Sequence, residues 1–266
     1  MEQGSRVGNR LLAALPPADL EFLVRHFRMV QLERDAVLVR SGDAIERLYF
    51  PLSGLIAFIM DMPNGQTVAT AIVGNEGAVG VLTTLGPAIS PLTAVVRVAG
   101  LALQISPTRF QAALGRSSAL KGTVQTHTRA LMAQFQHVAA CNALHSVEER
   151  LARWLLHVHD HVEGDVLPLT QETLAEFLGV RRTTVTQVIS KLRASGAIRS
   201  NARSSIEVDR PRLEATACEC YDLMCRRIGQ IVLPDEATSR GHGRPADDPS
   251  AHAPLLAKAN EAHRRT

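Results

Sequence analysis

The chain has 266 residues, 45% of them apolar, the composition of a globular protein large enough for two modest domains; a small disulfide-stapled scaffold is excluded. Its formal net charge of +3 is too small to imply a polyanion partner by itself, so the distribution of charge matters more than the total. Four cysteines, all in the second half and without framework spacing, and an opening whose apolar patch (residues 11–15) is too short for a secretion signal, point to the cytoplasm.

Residues 19–27 read as a short amphipathic helix, after which brief apolar stretches alternate with Gly, Pro, Asn and Asp. Strands are expected at 37–40, 48–50, 54–60, 67–73, 77–82, 93–98 and 101–105, with turns at Gly42-Asp43, Pro63-Asn64-Gly65, Gly74-Asn75 and Ala99-Gly100. Seven short strands at this spacing imply an antiparallel roll. The charge-free run 77–96 is long enough to consider as a membrane span, but Gly80, Gly86, Pro87, Ser90 and Pro91 interrupt it. A buried strand, loop and strand is expected instead, with no membrane partner.

Ser106 and Pro107 start a helix, because serine caps and proline is pre-set for the first helical position. Along the helix from 120 to 142, Val124, Thr128, Leu131, Phe135, Val138 and Asn142 recur at alternating spacings of four and three. Such a stripe either packs on the roll or joins two copies of the chain; sustained over three heptads, it favours a dimer seam. Ser146-Val147-Glu148-Glu149 is a capping box that starts a new helix, so a boundary and hinge are expected at His145 and Ser146. The expected domains are a sensor roll (10–118), a dimerisation helix (119–145), a DNA-binding domain (146–225) and a disordered tail (233–266) rich in Pro, Gly, His, Asp and Arg.

Residues 170–193, TQETLAEFLGVRRTTVTQVISKLR, have the pattern of a helix-turn-helix. Leu174, Ala175, Leu178, Val180, Val185 and Val188 stand where two steeply crossing helices touch, Thr170 caps the first helix, and Gly179 allows the turn. Arg181, Arg182, Thr183, Thr186, Gln187 and Ser190 then point outward. Arginine can pair with guanine and glutamine with adenine, while threonine can reach phosphate or a thymine methyl. Residues 197–208 alternate as a wing hairpin with Asn201 and Arg203 near its tip. Between 179 and 205 there are six basic residues and no acidic ones, the local excess that phosphate contacts require.

With these motifs the chain resembles the Crp/Fnr superfamily of regulators over about residues 10–225. The resemblance rests on YFPLSG (49–54), VGNEGAVG (73–80), ACNALHSVEERLARWLL (140–156), LTQETLAEFLGVRRTTVT (169–186) and CECY (218–221). The last three resemble a subgroup of bacterial regulators more than the cyclic AMP receptor itself. The resemblance implies an α+β fold with an N-terminal cyclic-nucleotide-binding-like β-roll, a long dimerisation helix and a C-terminal winged helix-turn-helix. It also implies a sequence-specific transcription regulator that binds double-stranded DNA as a homodimer on an inverted repeat, and RNA polymerase as a partner if the protein activates. Arg182 matches the family's first base-reading arginine and Thr184 a phosphate contact, whereas Thr183 replaces an acidic reader and Gln187 a second arginine.

The effector pocket implied by the resemblance comprises Gly74, Asn75, Glu76, Gly77, Leu92 and Thr93. It departs from the cyclic-nucleotide pattern, because Asn75 follows Gly74 where a ribose-binding glutamate is usual and Leu92 precedes Thr93 where an arginine neutralises the phosphate. A buried cyclic phosphate would lack a countercharge, so cyclic AMP is not the expected effector. No cysteine precedes Cys141, which argues against the iron–sulfur cluster of the oxygen-sensing relatives. Cys218, Cys220 and Cys225 read as ordinary packing or surface cysteines, and His157, His159 and His161 as a solvated helix end, so no metal is expected. Two other classes remain: a roll acting through a protein partner without DNA, and a cupin-like enzyme. The enzyme is disfavoured because residues 37–105 contain no histidine and no catalytic motif appears.

Overall fold

The computed structural model describes residues 8–86, 88–201 and 205–232. Asn9 caps a single helical turn, α1 (Arg10–Ala13), by accepting the Leu12 amide at 3.2 Å, and its own amide donates to the carbonyls of Pro51 and Gly77, each at 2.9 Å. One buried side chain thus ties this turn to two separate segments of the roll, the end of a strand at Pro51 and the loop at Gly77. Helix α2 (Pro17–Val24) opens two residues before the expected start because proline occupies its first position.

The roll is built from β1 (Arg28–Leu32), β2 (Val37–Val39), β3 (Leu48–Pro51), β4 (Leu55–Asp61), β5 (Thr67–Val73), β6 (Thr93–Val98) and β7 (Gly100–Ile105). They form two antiparallel sheets, ordered β1-β7-β3 and β2-β6-β4-β5. Strand β1 was not expected, since only Leu32 of its five residues is buried and no apolar alternation marks it. The expected strand 77–82 does not form. Asn9 takes the Gly77 carbonyl and His127 Nε2 the Ala78 carbonyl, so pairing shrinks to one bridge between Tyr49 and Val79, followed by a 3-10 turn (Val81–Leu85).

In β4, Ile56 and Phe58 face the core between the sheets, while Leu55, Ala57 and Ile59 face a second core on the outer side. A strand covered on both faces reads as a continuous apolar run rather than an alternation. What covers the outer face is the C-terminal half of the chain. That half comprises α5 (Val147–His159), β8 (Val166–Leu167), α6 (Gln171–Leu178), α7 (Arg182–Ala194), β9 (Ile198–Asn201), β10 (Ile206–Val208), α8 (Arg210–Thr216) and α9 (Cys220–Val232). Helix α5 is central: every residue from Arg150 to Val158 is buried, with Trp154 against Phe177 of α6 at 5.1 Å between ring centroids. The expected division near residue 145 is therefore no break in packing, and the described chain to residue 232 is one compact unit.

Helix α3 (Pro107–Arg116) is capped by Ser106, and α4 (Ser118–Leu144) by Ser117. The six seam residues on α4 do not form a free surface. Val124 lies in the core under α2 and α3, Leu131 and Phe135 in the core between the sheets, and Val138 in the outer core, whereas Asn142 alone is exposed. Their repeat marks the face that α4 turns to its own chain, because a long helix must also bury a stripe against its own domain. After the break at His145, the capping box forms: Ser146 accepts the Glu149 amide at 3.3 Å and Glu149 accepts the Ser146 amide at 2.8 Å. The tail from 233 lies outside the described residues.

Candidate nucleic-acid interface

Leu174, Leu178, Val185 and Val188 are buried between α6 and α7, and Ala175 and Val180 pack at the edge. Gly179 ends α6 at φ 64°, and a β-carbon there would meet Val68 of the roll at 3.3 Å. The inward valines orient the opposite face of α7, where Arg181, Arg182, Thr183, Thr186, Gln187 and Ser190 are exposed. Arg181 and Arg182 have no ion-pair partner among the described residues, and neither does Arg193. Lys191 and Arg199, by contrast, are engaged by Glu148 at 3.5 Å and by Asp209 at 3.0 Å.

The hydroxyls divide differently from the arginines. Thr186 has the Gln171 amide oxygen at 2.9 Å and the Arg182 carbonyl at 3.0 Å as acceptors for its one proton, and Ser190 donates to the Thr186 carbonyl, so each hydroxyl proton is used within the protein. Those oxygens present acceptors, which suit a base amino group and not a phosphate. Thr170 accepts the Thr173 amide as the cap of α6, and Thr184 is half-buried. The wing is a three-stranded sheet ordered β8-β10-β9, one strand more than the expected hairpin. The side chain of Asn201, and Arg203 altogether, lie outside the described residues.

The six residues of the expected effector pocket do not converge. Leu92 lines an apolar cavity of about 30 Å³ between the roll and α4, about the volume a single water needs. Thr93 is buried, bonded to Asp61 and to the Ser41 amide, beside a cleft that faces α6. Asn75 and Glu76 line a third cavity, of about 270 Å³, closed by His157, Asp160 and His161 and by Met224 and Ile228 of α9. Glu76 accepts the Gly74 amide at 2.9 Å and pairs with His161 at 2.9 Å. A β-carbon on Gly74 would lie 2.1 Å from the His161 ring, which is how closely the roll approaches the C-terminal half.

Burial opposes charge on His161, but the hydrogen bond and charge of Glu76 outweigh it and raise the imidazole above its ordinary value. Burial likewise opposes ionisation of Glu76, and His161, with the Gly74 amide, holds the carboxyl below its usual range. Desolvation pushes His157 well down, with the charge of Arg153 acting the same way. These histidines are therefore not a solvated helix end: His157 is buried, His159 meets Asp165 and Arg210, and His161 spans to the roll.

Two further contacts were not foreseen. Arg97, the only charge in β6, is buried and bonds Asp35 at 3.0 Å and Glu176 of α6; a lone arginine in an apolar strand was the signal. Cys141, His145, Cys218 and Cys220 also gather, their ligand atoms all within 4.8 Å of one another. The i, i+4 pair Cys141 and His145 on one helix face was the legible half of that cluster.

Comparison with known proteins matches this arrangement in two parts. Residues 29–117 match the cyclic nucleotide-binding domain family, and residues 149–216 the Crp-like helix-turn-helix domain family. A curated relative, the CRP-like cAMP-activated global transcriptional regulator of Mycobacterium tuberculosis, is 24% identical over 78% of this chain and 96% of its own length. Among solved structures, FixK2 from Bradyrhizobium japonicum superposes with a TM-score of 0.62 at 17% identity, over 72% of this chain and 98% of that one. The c-di-GMP responsive global regulator CLP of Xanthomonas campestris gives 0.61 at 18%, over 73% and 100%. No helix among the described residues is long and apolar enough to cross a membrane.

Proposed function

Because the chain belongs to the Crp/Fnr superfamily and is a DNA-binding transcription regulator rather than an enzyme, we propose that it acts in the cytoplasm as a homodimer on an inverted repeat. One observation carries this reading. On α7, Arg182, Thr183 and Gln187 project from a face whose opposite side is locked into the core, so these readers are held at fixed spacing for a major groove, with Arg181 at the N-cap placed for a flanking phosphate.

The dimer would use the free face of α4 in place of the buried stripe. Gln125, Arg129, Met132, Gln136, Ala139 and Ala143 are all exposed and also recur at spacings of four and three, with Met132 60% accessible. A two-fold axis along this face would set two recognition helices about one DNA turn apart, roughly 34 Å. RNA polymerase is the further partner if the protein activates.

The roll's signal is not cyclic AMP bound in the family manner. Supporting this are Leu92 where the phosphate-binding arginine is usual, the small apolar cavity it lines, and the engagement of Glu76 by His161. Selection from a random duplex pool by the full-length protein tests the DNA reading. An enriched inverted repeat with half-site centres about ten base pairs apart is expected; no enrichment, with purified protein and again in cell extract, would sink it. Calorimetry showing tight cyclic AMP binding would overturn the effector reading.

A further inference from the structure

The chain has four cysteines, and three of them, Cys141, Cys218 and Cys220, form a buried cluster of their own, apart from the hydrophobic cores. Cys141 sits on the last turn of α4 and His145 at its C-cap, while Cys218 and Cys220 flank the junction between α8 and α9. Local helix geometry sets the first pair four residues apart on one face, and a Cys-x-Cys segment 77 positions along the chain completes the set.

We infer that Cys141, His145, Cys218 and Cys220 form a closed tetrahedral site for a thiophilic divalent metal, with zinc the chemical class that fits. Three thiolates and one imidazole are a recognised zinc donor set. Bonds of about 2.3 Å to sulfur and 2.0–2.1 Å to nitrogen at tetrahedral angles place donors roughly 3.6–3.8 Å apart. Here Cys141 Sγ stands 3.5 Å from Cys218 Sγ, and Cys220 Sγ 3.6 Å from His145 Nδ1. An iron–sulfur cluster, whose cysteines bind different irons, needs its ligands farther apart. A Cys141–Cys218 disulfide would use two of the four groups and leave Cys220 against His145 without a purpose.

Two surrounding residues point the same way. His145 turns Nδ1 to the sulfurs, and its Nε2 lies 3.2 Å from the Glu219 carboxylate, the carboxylate–histidine arrangement that fixes the tautomer of a metal-bound imidazole. Arg153, only 1% exposed, stacks its guanidinium over Trp154 at 4.5 Å, has among the described residues no oxygen or nitrogen acceptor for its three nitrogens and no anionic side chain against it, and bears on the Cys141 thiol. A buried unpaired cation is costly. Three thiolates, a neutral imidazole and a dication leave one negative charge, which Arg153 would neutralise. Four protein ligands leave no open position, so the ion is structural: it staples the end of α4 to the start of α9, beside the break at His145.

The test is metal analysis of the full-length protein purified under reducing conditions, followed by replacement with cobalt. About one zinc per chain is expected, and the cobalt form should show thiolate-to-metal charge transfer with the intense ligand-field bands of a tetrahedral centre. Cys218→Ser should lose the metal, and Cys225→Ser, which leaves the cluster intact, should keep it. Should the serine variant fail to fold, Glu219→Gln provides the second reading, with cobalt affinity falling roughly 10-fold or more and the spectrum retained. Protein that stays metal-free when zinc is added, with freely titrating thiols or with a Cys141–Cys218 disulfide, would overturn the assignment, as would an iron–sulfur chromophore with inorganic sulfide.

Discussion

His161 Nε2 lies 2.9 Å from Glu76 Oε2, joining the turn after β5 of the roll to the loop that follows α5. Glu76 belongs to the effector pocket expected from the sequence, and a side chain of the same chain is seated against it. The roll and the DNA-reading half are coupled by this pair and by the Arg97 contacts to Asp35 and Glu176.

Glu76→Gln should lower stability by roughly 1–3 kcal/mol, below the figure for a fully buried pair, since the two side chains are 21% and 19% exposed. The pH profile carries the sign. The raised His161 value adds stability that is complete below the free histidine value near 6.5 and is lost as pH climbs past the folded value. The lowered Glu76 value adds stability present above 4.5 and lost as pH falls. The pair therefore contributes most between those limits, with Asp160 reinforcing charge on His161 and Arg10 lining the same cavity. Thermal melts of wild type and variant should converge toward alkaline pH; parallel curves would refute the coupling.

His127, buried and bonded through Nε2 to the Ala78 carbonyl, is pushed down to about 4 by desolvation. It is neutral in the fold and must charge in acid, so stability should fall as pH drops below 6.5, by up to roughly 3 kcal/mol near pH 4. Replacing His127 by glutamine should flatten this limb in denaturant titrations. An unchanged acid limb would assign it to other groups.

Arg97→Met retains the packing of β6 but removes both ionic contacts to Asp35 and Glu176. We expect a loss of roughly 1–3 kcal/mol and faster amide exchange in β5 and α6, with β1 and β7 unaffected. Uniform acceleration through the molecule would mean that Arg97 supports the whole fold and not this junction.

Arg182→Ala should cost roughly 1–3 kcal/mol on the selected operator and relax preference at one position of each half-site. Arg181→Ala should weaken all sequences alike and flatten the dependence of log affinity on log salt by about 0.9 for each phosphate no longer neutralised. Titrations at several salt concentrations separate the two; identical behaviour of both variants would contradict the division of roles.

Met132→Glu, on the exposed face of α4, should shift the protein to monomer in sedimentation with little change in its melting temperature. The same charge at Leu131, which is 2% exposed, should unfold the roll. A Met132 variant that remains dimeric would move the interface elsewhere.

Local rules within the sequence determined a good deal. The capping box at Ser146, the Ser106-Pro107 start, strands β5 and β6 and the α6-turn-α7 unit were all legible, because each depends on side-chain-to-backbone bonds or periodicity within a few residues. The outward face of α7 was legible for the same reason, since inward valines fix which side chains remain outside. Only the tertiary structure decided the rest. Both stripes of α4 repeat at spacings of four and three, and which one is buried depends on cores contributed by distant strands. Gly77 and Ala78 were apolar enough for a strand, yet Asn9 and His127 claimed their carbonyls from far along the chain. Glu76 with His161, Arg97 with Glu176, and Cys141 with Cys218 are separated by 85, 79 and 77 positions. Pairings at such separations leave no periodic trace, because they arise where two independently patterned surfaces meet.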